Sequence, residues 1–354
     1  MPIIMNNGTE QKALDSIKMN NQEIDKIYMG ENLVYNHDAP VYMIRLYKGF
    51  VYSYDGIHYN IATQYSSGEN WHGGVGYTKN KLLFGRDNGG KSQIVWFNPK
   101  RVRKGNLGWS YINPGVGNYQ VWGLSTDGEN TIVCGSNYTN DKKLHYSFDG
   151  GATWSSTTTR ISENIEYTNC FLKLVSGQPK IRFYIHAYAS GNSNTGHYWE
   201  WRPEDPKIIY EVQSPITSGT LQDIRTCEDG ATYYTTDSKA YRYEEATGTL
   251  TQCNIKVYQV TYIYGRYYAL TVRYGGGSAL YVSDDGITFS KSSSSELRNK
   301  RIYHILKSNG KLCFAAERCA GVIYEDNTFE ETAFDSTIAE YYGSPIATNK
   351  FHKL

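Results

Sequence analysis

The sequence predicts an all-β protein built as a β-propeller, and three observations lead there. Composition comes first: 33 Tyr, 7 Trp and 11 Phe make 14% of 354 residues aromatic, alongside 34 Gly. Tyr and Trp suit pleated, half-buried strands, and no long Leu/Ala/Glu/Lys stretch argues for helices. A recurring short apolar run is the second observation, and a recurring polar turn is the third. Repeats of this kind decide an architecture before any single motif does.

The apolar run recurs from residue 79 onward, often just after Asn or Gly. Its members are Lys81–Phe84, Thr131–Cys134, Arg182–Ile185, Ala231–Tyr234, Tyr267–Leu270 and Lys311–Phe314, with starts 50, 51, 49, 36 and 44 residues apart. Each is followed by a loop and a second run that ends in a polar turn: Ile94–Phe97, Leu144–Ser147, Tyr198–Trp201, Ala240–Tyr243, Ala279–Val282 and Val322–Glu325. An earlier member, Phe50–Ser53, brings the second series to seven across residues 50 to 326. Four-stranded blades recurring at roughly 40–50 residues are the propeller signature. Seven blades are expected, with six as the competing count. Strands near Ile338–Ala347 should return to complete the blade begun at 42–60 and so remove the open sheet edge.

The turns carry a resemblance of their own. Ser147-Phe148-Asp149-Gly150-Gly151-Ala152-Thr153-Trp154 fits S-x-D-x-G-x-T-W, and so resembles the Asp-box (BNR repeat) of sialidase-like propellers. Ser53-Tyr54-Asp55-Gly56-Ile57-His58-Tyr59 and Ser283-Asp284-Asp285-Gly286-Ile287-Thr288-Phe289 resemble its shortened form. Cys227-Glu228-Asp229-Gly230-Ala231 is a degenerate echo, placed where a first-to-second-strand turn should fall. In such turns the Asp carboxylate accepts backbone N–H groups and Gly takes φ > 0. Asp55, Asp149, Trp154 and Asp285 are therefore expected to be structural.

Residues 1–40 do not fit the blade period. From Ile17 to Tyr35 apolar and polar residues alternate around Asn20-Asn21 and Gly30-Glu31, which reads as a small β-meander. So small a unit cannot bury a core alone. The pattern Ile24…Ile27-Tyr28-x-Gly30-x-x-Leu33-Val34-Tyr35 resembles a short module at the ends of virion proteins of tailed bacteriophages, where it joins an adhesion or decoration domain to the particle. The resemblance implies that Ile17, Ile24, Ile27, Leu33 and Tyr35 serve attachment and that other virion proteins are partners through residues 1–40. The expected division is a meander over 1–40 and a propeller over 41–354, with His37-Asp38-Ala39-Pro40 as the linker.

Charge and motif content exclude several function classes. Lys+Arg is 36 against 35 Asp+Glu, a net charge of +1 that gives no basic surplus for phosphate backbones. No apolar run approaches the ~18 residues of a membrane helix, and Met1–Gly8 lacks the form of a secretory signal. The six cysteines form no CxxC pair and no zinc-spaced cluster, and the eight histidines form no metal-spaced pair. No metal or cofactor is expected. Cys134 and Cys313 lie in apolar runs and read as buried free thiols.

An enzyme reading uses the loops between second and third strands. Arg86, Arg273 and Arg318 follow the apolar run of three blades, and three guanidiniums could hold a carboxylate, as in sialidases. The F/Y-R-I-P segment of sialidases is absent, however, and Met43-Ile44-Arg45-Leu46-Tyr47 lacks the Pro. No Tyr–Glu pair, GxSxG or HExxH is assignable. A binding reading needs only rigid aromatics beside adaptable amides, as in residues 63–72, 109–122 and 186–201. Its candidate ligand contacts are Arg86, Tyr138, Tyr188, His197, Arg273, Tyr274 and Arg318. The expected function is a non-catalytic virion structural protein of a tailed bacteriophage, on the tail, baseplate or head fibre. It would be made in the host cytoplasm and act in adhesion to a host-surface glycan or protein or in particle decoration, as a monomer or a homo-oligomer. The alternatives are a glycan-cleaving, sialidase-like hydrolase and an intracellular protein-binding scaffold.

Overall fold

The computed structural model describes residues 41–46, 49–64, 74–79, 81–88, 91–99, 109–115, 121–136, 142–159, 161, 164–188, 196–272, 277–335 and 346–348, and four strands before residue 40. Seven four-stranded antiparallel sheets form a β-propeller. Blade I comprises Val75–Thr78, Lys81–Asn88, Lys91–Phe97 and Ser110–Ile112. Blade II comprises Val121–Thr126, Ile132–Ser136, His145–Ser147 and Ser155–Ser156. Blade III comprises Asn164–Val175, Gln178–Tyr188, His197–Trp201 and Ile209–Gln213. Blade IV comprises Leu221–Thr226, Thr232–Thr236, Ala240–Glu244 and Thr249–Gln252. Blade V comprises Gln259–Ile263, Arg266–Leu270, Tyr281–Ser283 and Ser290–Lys291. Blade VI comprises Ile302–Ser308, Lys311–Ala316, Cys319–Ile323 and Phe329–Ala333.

The closing blade joins the two parts of the chain. Its first strand, Ile346–Thr348, pairs with Tyr42–Leu46, which leads into Gly49–Ser53 and Asn60–Gln64. The recurring apolar runs are the second strands of blades I–VI, and the later runs fall on their third strands. The blade count is seven, and the expected return of the chain is the strand at Ile346–Thr348.

The strand period of two explains why the core is divided. Tyr42, Ile44 and Leu46 pack against Leu306, Cys313 and Val322 of blade VI. The alternate residues Val41 and Met43 pack with Leu82 and Phe84 of blade I on the opposite side. Each blade thus buries both faces, and seven apolar clusters fill the seven seams. The aromatic excess goes largely there. Phe50, Phe84 and Phe97 meet edge to face at 4.9–5.8 Å between the closing blade and blade I. Tyr198 and Tyr234 meet at 6.5 Å between blades III and IV. All six cysteines are free, with Cys134 and Cys313 fully buried.

Turn chemistry follows residue type. Ser176-Gly177, Tyr264-Gly265 and Asn309-Gly310 all have positive φ at both positions, the two-residue hairpin geometry that matches strand twist. A single helical turn, Ser295–Asn299, precedes blade VI; Ser294 caps it and Leu297 anchors it. Ahead of the ring, Ile17–Met19 pairs with Gln22–Ile24, and Lys26–Met29 pairs with Asn32–Asn36, as two separate two-stranded sheets.

Candidate functional site

Strand direction gives the ring two unlike faces. First-to-second and third-to-fourth turns share one, the turn face; second-to-third turns and the connections between blades share the other, the loop face.

The three Ser-x-Asp turns follow third strands and lie on the turn face. Ser53, Ser147 and Ser283 each donate a hydroxyl hydrogen bond at 2.8 Å to Asp55, Asp149 and Asp285. The same hydroxyls accept the N–H of Gly56, Gly151 and Gly286 at 2.8–3.0 Å. Each carboxylate then accepts two N–H groups at 2.7–2.9 Å: Ile57 and His58, Ala152 and Thr153, Ile287 and Thr288. The indole of Trp154 donates to the Gly151 carbonyl at 3.1 Å. These donors stabilise the ionised form. Backbone N–H groups of Thr288 and Ile287 hold Asp285 down at about 2. Burial pushes Asp55 up, but His58, Ile57 and Ser53 outweigh it and leave it at about 2. The Thr153 hydroxyl and N–H hold Asp149 well below the carboxylate range.

Each of these turns is also clasped by the preceding blade. The Lys81 ammonium donates to the Gly150 carbonyl, Tyr233 to that of Gly286 at 2.8 Å, and Lys311 to that of Asp55 at 3.2 Å. All three donors stand at the start of a second strand. A further clasp comes from the outer edge. The Thr332 hydroxyl donates to Ile57 at 2.6 Å and accepts the Tyr59 N–H at 3.3 Å. Asn254 does the same for the blade V turn, accepting from Phe289 N–H at 2.8 Å and donating to Phe289 O at 2.9 Å. Sequence reading missed these clasps; the similar runs Lys-Leu-x-Phe at 81–84 and 311–314 mark the two lysine donors but not the turns they reach.

A second polar group occupies the innermost strands. Arg225 donates to Asp223 at 2.9 Å and to the Tyr167 hydroxyl at 2.5 Å, which ties blade IV to blade III. Gln259 of blade V donates to Tyr303 O at 2.8 Å and accepts from Ile305 N–H at 3.1 Å, on either side of His304. Burial and the Arg225 charge push His304 down to about 3. A β-bulge falls near the loop-face end of four first strands, with Trp122, Glu166, Gln222 and Tyr303 as the extra residues. A bulge sharpens strand twist and re-aims the residues after it: Tyr167, Asp223 and His304 all follow one. The Arg225 guanidinium is thus matched by the Asp223 carboxylate, and its contact with Tyr167 joins two blades. Among the described residues no three His, Cys, Asp or Glu lie close enough to hold a metal ion.

The sequence-derived ligand residues that the structure describes are spread over three blades, I, III and VI. Arg86 lies within a second strand, opposite Gln93, rather than in a loop, because pairing with Lys91–Phe97 continues through it. Tyr188 likewise ends a strand, opposite Asn164. His197 opens a third strand and is exposed. Arg318 occupies the blade VI second-to-third turn, exposed, with φ of +61°. Tyr138, Arg273 and Tyr274 lie outside the described residues. Of the attachment residues, Ile17 is registered with Ile24, Ile27 with Tyr35, and Leu33 with Tyr28.

Comparison with known proteins rests on shape. No family model matches the chain, and no curated protein matches it by sequence. A streptogramin B lyase structure superposes with a TM-score of 0.53 at 12% identity, over 87% of this chain and 97% of that one. YCF48 bound to D1 peptide gives 0.52 at 13% identity, over 88% and 89%. Virginiamycin B lyase from Staphylococcus aureus gives 0.50 at 14%, over 74% and 85%. The likeness is one of fold.

Proposed function

We propose that the chain is a non-catalytic virion protein of a tailed bacteriophage, held to the particle through residues 1–40 and offering the loop face of its propeller to a host surface. The observation that carries this is where the ring opens. Tyr42 begins a second strand, which runs from the turn face to the loop face, and Thr348 ends beside it. The chain before Tyr42 therefore joins the ring at the turn face. Among the described residues the strands at 17–36 pair with one another and not with the ring, and the seventh sheet is completed by Ile346–Thr348. A unit this short gains stability mainly by burial against a partner. Loop-face residues His197 and Arg318 stand exposed away from that junction.

The test is a pair of altered chains expressed during particle assembly. A chain beginning at Val41 should fold as a ring but stay off particles, and residues 1–40 fused to an unrelated domain should carry it onto particles lacking the native protein. Assembly of the truncated ring at normal copy number would overturn the reading. Turnover of a chromogenic sialoside by the purified chain would overturn its non-catalytic half.

A further inference from the structure

One hairpin departs from the ring's pattern. In blade III the second strand runs five residues, Gln178–Arg182, beyond its first pair with the third strand, Phe183 with Trp201. That is roughly 16 Å of additional strand; in the other six blades the overhang is one residue or none. The Ser176-Gly177 turn lies at its tip, so the hairpin projects from the turn face.

The hairpin presents side chains rather than a free backbone edge. Its outer edge is protected against strand addition: Pro179 has no N–H to offer, and the Arg182 guanidinium covers the Ile181 carbonyl at 2.8 Å. Its tip exposes Leu174 and Val175, at 37% and 38%. Residues 173–182 hold three cations, Lys173, Lys180 and Arg182, and no carboxylate. Lys173 and Arg182 are engaged with Glu200, and Arg182 also with Glu204, while Lys180 is exposed.

The same face carries the opposite charge elsewhere. Residues 324–331, the third-to-fourth turn and outer strand of blade VI, contain Glu325, Asp326, Glu330 and Glu331 with no cation. Glu325, Asp326 and Glu330 are exposed, and Glu331 pairs with Lys300 at 2.8 Å. Blades III and VI are three positions apart on a seven-membered ring, about 154° around it. A two-fold axis lying in the plane of the face, midway between them, exchanges the two positions. It places the blade III hairpin of one copy over the blade VI turn of the other, and the reverse.

We propose that this protein forms a two-fold dimer through its turn face, the apolar-tipped hairpin of blade III with its exposed Lys180 seating on the acidic turn of blade VI in a second copy. Such an isologous contact makes each pairing twice. The two loop faces then point away from each other, and the chains before Tyr42 leave from between the rings.

Sedimentation velocity on the full chain tests this. At low salt a dimer is expected, weakened about tenfold in dissociation constant at ~0.5 M salt. Lys180→Glu and Glu325→Lys, both at exposed positions, should each weaken it about tenfold, since each change acts twice. Their combination in one chain should return the constant to within about threefold of the starting value. Leu174→Ser should weaken it without altering the salt response. A chain monomeric at ~100 µM, or a dimer indifferent to both charge reversals, would overturn the proposal; melting temperatures of the variants separate lost pairing from lost folding.

Discussion

Single residues in the Ser-x-Asp turns do disproportionate structural duty, because one carboxylate serves several donors at once. Asp149 accepts from Ser147, Ala152 and Thr153, the last through both its N–H and its hydroxyl. Asp149→Ala should leave these donors to water at an exposed turn and cost about 1–2 kcal/mol, read as a lower urea midpoint with unchanged slope. Gly286 has φ of +71°, and a Cβ there would meet the Tyr233 hydroxyl at 2.6 Å. Gly286→Ala should therefore strain the turn and break its clasp together, lowering the melting temperature more than Asp285→Ala does. Acid should act through two kinds of group. His304 is held near 3 in the fold against an ordinary value of about 6.5, so the unfolded chain takes up that proton first. The stability it contributes is complete above pH ~6.5 and is lost as pH falls toward 3. Asp55 and Asp285, held at about 2, contribute stability that is complete above pH ~4 and is lost below it. Urea midpoints at pH 7, 5 and 3.5 should fall steadily, and His304→Gln should flatten the step between pH 7 and 5.

At the scale of strands and turns, what the sequence made legible follows from what is local. Lys-Leu-Leu-Phe, Lys-Leu-Cys-Phe and their counterparts mark second strands because a strand buried on both faces must be apolar throughout, and that constraint is written within four residues. Ser-x-Asp-Gly marks a turn for the same reason: its donors and acceptor are neighbours in sequence. The clasps are long-range, joining residues 256 positions apart for Lys311 and Asp55, and nothing within either segment announces the other. Arg86 was misplaced into a loop because its polar neighbours Asp87 and Asn88 continue a strand whose edge is not apolar. The polar group on the innermost strands was invisible because bulges at Glu166, Gln222 and Tyr303 shift the alternation that sequence reading depends on. Thr332→Val and Asn254→Ala test the clasps directly. Each should lower stability by about 1 kcal/mol, and the two should add, since they serve different seams.

The whole molecule depends on closure, and closure decides how it can be held. The second, third and fourth strands of the closing blade precede blade I and its first comes from Ile346–Thr348, so the ring is locked only when the chain has returned. Deleting residues 336–354 should expose the edge of Tyr42–Leu46, and the truncated chain should aggregate or melt much earlier; an unchanged melting temperature in a monomer would deny the closure. The same topology brings the chain into the ring at Tyr42 on the turn face, the side from which the proposed attachment through residues 1–40 would act. Cryo-electron microscopy of particles assembled with the full chain tests that account most directly. Seven-bladed rings joined to the particle by density leaving the face of Asp55, Asp149 and Asp285, beside Tyr42, are the predicted result. Particles without rings, or rings attached through the face that carries His197 and Arg318, would contradict it.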